Sequence, residues 1–466
     1  MTLTNPERIR DPIHDLIVFR EDSRLDWAAW KLVNTFELQR LRRIKQLGVT
    51  EYVFPSATHT RFAHSIGVFN YARKLIDIID REITLKRVGG EFNRPRARVA
   101  VLAAMLHDIG HGPFSHAFEE ARKSIARQRD GKDAKIKKHE YFSAELVRAK
   151  NSQISEILLQ VDVDPNEVAD LIQAETPIDM YHAIISSSFD ADRLDYLQRD
   201  KYMTGVGAGS IDLAWLLDNV RVAELDVSAA EDATAVFRHS FCLNYKARDA
   251  AEDFILSRFR LYSNVYFHKT TRGMEQLISA IFRGIAIELD TNGKVVGLRD
   301  DHPLCVFFIK DGDTVENYRQ LDDEVVWGVI HELSRNGSDY LKDISRRILE
   351  RKKPYCVDVQ VTFPGDSERQ RKLKHNLNQK FKDQFDSTVF QDSAKLSLYG
   401  AIGGDDDRAQ KRVMIMLKNK DLREITDPAV SSLTMTERER SFDRYYFLNE
   451  SDRKLAEDAI NEIRGR

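Results

Sequence analysis

Leu106-His107-Asp108-Ile109-Gly110-His111-Gly112-Pro113-Phe114-Ser115-His116 places three histidines and an aspartate in one short segment. The apolar run before it, Val99 to Leu106, predicts a buried helix that Gly110 and Gly112-Pro113 bring to an end. Adjacent His and Asp side chains cannot share a face within a helix. At its terminus both can turn toward one ion, His107 giving nitrogen and Asp108 oxygen.

Two outlying residues extend the pattern. His64 follows Arg61-Phe62-Ala63, and Asp192 lies in Phe189-Asp190-Ala191-Asp192-Arg193-Leu194-Asp195-Tyr196. His64, His107, Asp108 and Asp192 make a two-His, two-Asp set, which suits a divalent transition metal with positions left open. Mixed nitrogen and oxygen donors point to Mn, Fe, Ni, Co or Zn rather than Ca. Taken alone, each residue reads as a helix-end cap or a surface histidine. Four groups of ligand type together in apolar helical settings argue for the metal.

Phe62-Ala63-His64-Ser65, His107-Asp108 and Asp192 resemble the H…HD…D signature of the HD-domain phosphohydrolases. Asp11-Pro12-Ile13-His14, the segment Gln39 to Gly48, Val53-Phe54-Pro55 and Gly110 to His116 narrow the resemblance to the deoxynucleoside triphosphate triphosphohydrolases. The similarity is to the HD domain of the SAM-and-HD-domain enzyme and its bacterial relatives, and it runs from about Arg10 to about Lys269. It implies a dNTP substrate cleaved to deoxynucleoside and inorganic triphosphate, with His64, His107, Asp108 and Asp192 as metal ligands. Such an ion lowers the pKa of a bound water and neutralises a non-bridging phosphate oxygen. Additional Mg would arrive with the nucleotide.

The same resemblance sets His111, His116 and His139 around the phosphates, with Glu119 where the close relatives carry Asp. His116 is the first choice for the acid that protonates the leaving 5′ oxygen, since a histidine can donate a proton near neutral pH. Arg61, one helical turn before His64, is expected on phosphate, as are Arg258, Lys269 and Arg193, the last replacing a lysine of the relatives. Tyr196 would pack near the phosphates. Gln46, Leu47, Asp200 and Tyr266 map to the sugar pocket, where an aromatic ring against C2′ rejects ribose. Without the resemblance, His139 reads as a polar loop-end histidine, and Tyr266 reads equally well as core.

Asn34, Gln39 and Arg42 fall where the relatives read a guanine effector. Asn34 stands in place of an Asp, which weakens a grip on guanine's two N–H donors, so GTP is not expected to be an obligatory activator. The resemblance also implies a homo-oligomer, from dimer to tetramer or larger, with effector contacts between subunits. The chain starts almost at Asp11-Pro12, so the SAM module is not expected.

At 466 residues, one large domain with an appended lobe, or two to three domains, is the prior. A net charge of −3 supplies no basic field toward nucleic acid or an anionic membrane. Cys242, Cys305 and Cys356 are odd in number and far apart, and read as reduced thiols of a cytoplasmic protein. No apolar run approaches bilayer length.

Helical periodicity covers Leu25 to Arg43, Ile66 to Ile83, Val99 to Leu106, His139 to Val147 and Ile211 to Val220. Asn244 to Asn264 and Arg272 to Ile287 read as two long helices. Tyr355 to Phe363 alternates like a strand, Val413 to Leu417 is a short strand, and Ser451 to Arg464 closes as a helix. The predicted class is mainly α: a helical HD core over residues 1–290 and a smaller α/β lobe over 291–466. Two other functions fit the same metal set. One is a phosphodiesterase or nuclease acting on single-stranded nucleic acid or a cyclic nucleotide, with a strand guided by the basic clusters Arg346-Arg347, Arg351-Lys352-Lys353 and Arg369 to Lys374, although no aromatic interleaving offers a stacking platform. The other is a nucleotide sensor without turnover, against which the full complement of ligands argues.

Overall fold

Five helices, Arg61–Thr84, Arg94–Leu106, His116–Asp130, His139–Arg148 and Ala191–Thr204, carry most of the expected site. They belong to a computed structural model that describes residues 2–131, 133–174, 177–207, 211–226, 236–398, 400–401, 412–431, 433 and 440–465. Side-chain caps set where three of them begin. Thr60 accepts from Ala63 N, Asn93 from Arg96 N with Pro95 in the first turn, and Asp190 from Arg193 N. These caps hold His64 and Asp192 in or next to the first turn of their helices. The run Val99 to Leu106 is buried at every residue, and its helix packs against Arg61–Thr84 and Pro165–Gln173.

The chain is mainly α, with a smaller mixed region toward its C-terminal end. There, strands Tyr355–Asp358, Arg440–Phe447, Val389–Ser397 and Gly400–Ala401 lie side by side in that order, each pair antiparallel. Helices Ser367–Lys380 and Glu450–Arg464 pack with this sheet around Leu373, Leu377, Tyr445 and Phe447. Packing is continuous across position 290: Phe118, Phe142 and Phe282 share a core with Phe307, Tyr318 and Leu333. Strand Met414–Met416 also runs parallel to Phe237–Asn244 of the earlier region.

Several local expectations are corrected. Leu25 to Arg43 is broken into Arg24–Val33, Phe36–Arg40 and a 3-10 turn Leu41–Arg43, with Thr35 in extended conformation between the two helices. Asn244 to Asn264 opens with a 3-10 turn, continues as Arg248–Leu261, and ends in a π turn, Tyr262–Tyr266. The strand at Tyr355 stops at Asp358, whose carboxylate accepts from Val361 N and starts a helical turn. The hairpins Glu7–Asp11 with Asp15–Phe19 and Val220–Asp226 with Phe237–Asn244 add strands to a region read as mostly helical. The basic clusters are partnered locally: Arg347 with Asp343, Lys352 with Glu350, Arg369 with Asp366 and Lys374 with Asp443. Among the described residues, no helix is long and apolar enough to cross a membrane.

Candidate active site

His64, His107, Asp108 and Asp192 converge from three helix ends. His64 Nε2 lies 2.9 Å from Asp192 Oδ1 and 3.8 Å from Asp108 Oδ2. His107 Nε2 lies 3.1 Å from Asp108 Oδ1 and 3.8 Å from Asp192 Oδ1. Donor atoms of His64, His107 and Asp192 all sit within 4.8 Å of one another, and so do those of Asp108, His111 and His139.

The second nitrogen of each ligand histidine is already engaged. His107 Nδ1 donates to Ala104 O at 2.8 Å. His64 Nδ1 donates to Asp195 Oδ2 at 2.8 Å. A carbonyl or carboxylate can only accept, so in each ring Nδ1 carries a proton and Nε2 is the atom that faces inward. His64 Nε2 is buried and makes no well-aligned hydrogen bond among the described residues, although Asp192 Oδ1 lies 2.9 Å away. Burial acts to lower the His64 pKa, yet bonds to Asp192 and Asp195 outweigh it and hold it up at about 10. The surrounding carboxylates therefore favour positive charge at this point, whether proton or metal. The donor set fits a divalent transition ion.

Asp195 was not singled out from the sequence, although it follows Asp192 by three residues on the same helix. It is fully buried and accepts from His14 Nε2 at 2.7 Å, from His64, and from Arg199 Nε at 2.8 Å and Nη2 at 2.9 Å. Burial would raise its pKa, but Arg199, His14 and His64 drive it far below the usual carboxylate range. Arg199 continues to Asp11, and Asn70 donates to His14 Nδ1. The motif Asp11-Pro12-Ile13-His14 thus braces the candidate metal site from the N-terminal hairpin. Gly67 makes room for this: a Cβ there would fall 1.9 Å from Asp195 Oδ1.

A second group of side chains adjoins the ligands. His111 Nε2 lies 3.2 Å from Asp108 Oδ1, and its ring stacks on His139 at 3.9 Å between centroids. His139 Nδ1 donates to Glu119 Oε1 at 2.9 Å. Burial lowers the His139 pKa, but Glu140 and Glu119 reverse this and hold it at about 9, so this ring is charged at neutral pH. His111 is pushed well below the ordinary value by burial, then by Arg61 and His139. His116 is accessible to solvent. The protein around it nevertheless lowers its pKa, and Arg61 adds to the effect. Arg61 donates to Asp108 Oδ2 at 2.5 Å and to Ser115 Oγ at 2.8 and 3.0 Å, so it links the metal ligands to the turn before His116.

That turn is conformationally unusual. Phe114 and Ser115 both have positive φ, +53° and +45°, which is costly for residues with a side chain. Two residues hold it: Asp323, which the sequence reading did not include, and Arg40, which it quoted only within the segment Gln39 to Gly48. Asp323 accepts from Phe114 N at 2.8 Å, and Arg40 donates to the carbonyls of Ile109 and His111 and, from Nε, to Leu321 O. Gly110 admits the neighbouring helix, since a Cβ there would fall 2.2 Å from Ser143 N.

The other expected residues divide. Tyr266 donates to Asp200 Oδ2 at 2.6 Å, and burial, then Asp200 and Tyr196, raise its pKa well above the ordinary value. Gln46 and Leu47 lie on the segment that bridges to His59 and Thr60. Arg193 is buried and turned toward Asp190 and the Ser187 carbonyl, and Arg258 is buried with its guanidinium over Tyr262. Lys269 is exposed and lines a cavity of about 790 Å³ with His268, Tyr355 and Arg444, whose walls include none of the expected metal ligands. Gln39 and Arg42 adjoin one another: Arg42 donates to Gln39 Oε1, Gln39 to Val33 O, and Arg42 lies over the Phe62 ring, while the Asn34 amide donates to Trp30 O.

Residues 61–200, the stretch that holds all four expected ligands, match the HD domain family. The chain is 32% identical over 351 residues to the uncharacterized protein YwfO of Bacillus subtilis, covering 75% of this chain and 71% of that protein. This chain belongs to the HD-domain phosphohydrolase family. It is also 32% identical over 258 residues to the deoxynucleoside triphosphate triphosphohydrolase SAMHD1 homolog of Dictyostelium discoideum, covering 54% of this chain and 45% of that protein. The matched region spans about half the length of several of the relatives, among them that homolog and two uncharacterized proteins. A solved phosphohydrolase from Bacteroides thetaiotaomicron shares the fold, with a TM-score of 0.71 at 24% identity, covering 95% of this chain and all of that one. HD-family membership brings with it a divalent-metal hydrolase class.

Proposed function

We propose that this HD-family protein hydrolyses deoxynucleoside triphosphates to deoxynucleoside and inorganic triphosphate. The observation that carries the reading is the second group beside the ligand set. Charged His139, neutral His111 and Arg61 adjoin Asp108, which is the surface a polyphosphate needs next to a metal. Similarity to a relative named as a dNTP triphosphohydrolase supports the substrate class.

His64, His107, Asp108 and Asp192 would hold the ion, which supplies Lewis acidity and charge neutralisation when bound. Arg61 and His139 would orient the phosphates. Water adds its oxygen to the α-phosphorus, the bond from phosphorus to O5′ breaks, and O5′ takes a proton. His116, on the accessible side of the site, would give that proton; a bound polyanion raises its pKa toward neutrality. Glu119 keeps His139 charged and in place. Tyr266, Asp200, Gln46 and Leu47 would receive the sugar, with Tyr196 beside them. Arg193, Arg258 and Lys269 are assigned to phosphate on the resemblance alone, and the inward orientation of Arg193 does not favour it. Asn34, Gln39 and Arg42 would receive a nucleotide effector between subunits of a homo-oligomer in the cytoplasm.

The test is incubation of metal-loaded protein with each dNTP and NTP, with ion-exchange separation of products. Deoxynucleoside and triphosphate are expected, and His107→Ala or Asp108→Ala should lose both metal and turnover. Nucleoside monophosphate and pyrophosphate would refute the assignment in favour of a phosphodiesterase. Binding without turnover in Mn²⁺ would leave a sensor.

A further inference from the structure

Strand Arg440–Phe447 has two faces with different partners, as alternation along a strand requires. Its odd-numbered residues serve the C-terminal sheet. Tyr445 donates to Asn378 Oδ1 at 2.7 Å, and Tyr445 and Phe447 pack with Leu373 and Leu377. The even-numbered residues turn the other way, onto the segment Phe259 to Lys269. Arg440 donates to Ser263 Oγ at 3.0 Å and lies over the Phe259 ring. Phe442 stacks on Phe267 at 5.5 Å between centroids. Arg444 Nη1 donates to Phe267 O at 2.6 Å, and Tyr446 Oη donates to Lys269 O at 2.9 Å.

The segment gripped in this way contains the π turn Tyr262–Tyr266, closed by Phe267 N on Tyr262 O at 2.9 Å. Such a turn holds one residue more than α geometry, and it is found frequently at functional sites. Its last residue is Tyr266, whose hydroxyl donates to Asp200 Oδ2 at 2.6 Å. The tyrosine is therefore held at both ends. Its hydroxyl is tied to the helix that carries Asp192, and its backbone, one residue on, is tied to the C-terminal strand. The second tie is made of buried parts. Arg444 is 6% exposed, stands opposite Asp358 on the neighbouring strand and donates to its Oδ2 at 2.8 Å, and Tyr446 is 1% exposed. A planar guanidinium that serves a carboxylate and a backbone carbonyl together fixes direction as well as distance.

We propose that this face of the strand is a specificity element for the sugar: Arg444 and Tyr446 are positioning residues that hold the π turn, and through it the Tyr266 ring, against C2′ of the nucleotide. This rests on the dNTP reading of the site. Neither residue need touch the nucleotide. Loosening either one lets the ring draw back and admits a 2′-hydroxyl, while the expected metal ligands stay in place.

Two adjacent tyrosines on opposite faces make the test. Tyr446→Phe loses the bond to Lys269 O, Tyr445→Phe loses the bond to Asn378, and each keeps its ring. The quantity to measure is kcat/KM for dATP over that for ATP, on full-length, metal-loaded protein whose folding is checked by thermal melting. Tyr446→Phe should lower this ratio about three- to tenfold, the span of one hydrogen bond. Arg444→Lys, which keeps a charge beside Asp358 and gives up the fork, should do the same. Tyr445→Phe should leave the ratio unchanged. In a Tyr266→Ala background, Tyr446→Phe should have no further effect on it, since both act through one ring. The proposal is overturned by a ratio that Tyr446→Phe leaves unchanged, that Tyr445→Phe lowers as much, or that falls again in the Tyr266→Ala background. If no dNTP yields triphosphate, the hydrolase reading fails by itself, and the same comparison is made on calorimetric binding of dATP and ATP in EDTA. The positioning role then stands if wild type prefers dATP and Tyr446→Phe, but not Tyr445→Phe, erodes the preference. It falls if the two variants behave alike, or if wild type binds both nucleotides alike or neither.

Discussion

Asp195→Asn should release the metal before it unfolds the protein. Asp195 receives two N–H donors on each oxygen: His14 Nε2 and Arg199 Nη2 on Oδ1, His64 Nδ1 and Arg199 Nε on Oδ2. An asparagine keeps one oxygen and turns an NH₂ toward the other pair. His14 cannot readily accept from it, because its Nδ1 already accepts from Asn70. His64 can, by moving its proton to Nε2, which lies 2.9 Å from Asp192 Oδ1. The amide nitrogen should therefore settle on the His64 side, and the lone pair that faces the metal is lost. Losing such an orienting partner typically costs 10- to 100-fold in metal affinity, or about 1.4–2.7 kcal/mol. Removing one partner from a buried charge network costs about 3–5 kcal/mol of stability; Arg199 keeps its bonds to Asp11, so the lower end is expected. Metal retained against a competing chelator reports the first quantity, and chemical denaturation of the apoprotein the second. A variant that loses stability but holds its metal as tightly as wild type would show that Asp195 only anchors the helix and does not set the His64 tautomer.

Gly67→Ala should reproduce that metal loss from the other side, because its Cβ would fall 1.9 Å from Asp195 Oδ1; overpacking of this kind costs about 1–3 kcal/mol, and unchanged metal content would refute it. His116→Ala should keep metal and nucleotide binding while turnover drops by about 10²–10⁴; a rate within a few-fold of wild type moves the acid to His111 or His139. Tyr266→Ala should raise ribonucleotide turnover relative to deoxyribonucleotide, and an unchanged ratio of kcat/KM values makes the tyrosine a packing residue. Burial pushes the Cys242 thiol up to about 12 and those of Cys305 and Cys356 up to about 11, so thiolate forms only at high pH. Iodoacetamide at pH 7.5 should label none of the three in native protein and all three in denaturant; rapid native labelling would contradict this.

The helix that ends at Leu106 was legible because an apolar run closed by glycines and a proline leaves few alternatives, and it is buried throughout. His64 and Asp192 were legible by residue type and motif. The strands at Glu7, Val220 and Phe237 were not, because short half-buried segments carry too few alternating positions to outweigh their helical surroundings. Leu25 to Arg43 has helical spacing throughout, yet the helix breaks around Thr35, whose hydroxyl donates to Leu32 O.

By itself the sequence singled out the groups that could hold an ion, since chemistry limits metal ligands to a few residue types, and the structure brings His64, His107 and Asp192 within reach of one another. The sequence also determined the helical class of the core. Tertiary structure alone decided how those groups are held. His14 and Asp195 are 181 positions apart, Arg40 and Leu321 are 281 apart, and Phe114 and Asp323 are 209 apart. No local pattern encodes such pairs. A buried carboxylate or guanidinium must find its partners wherever packing brings them.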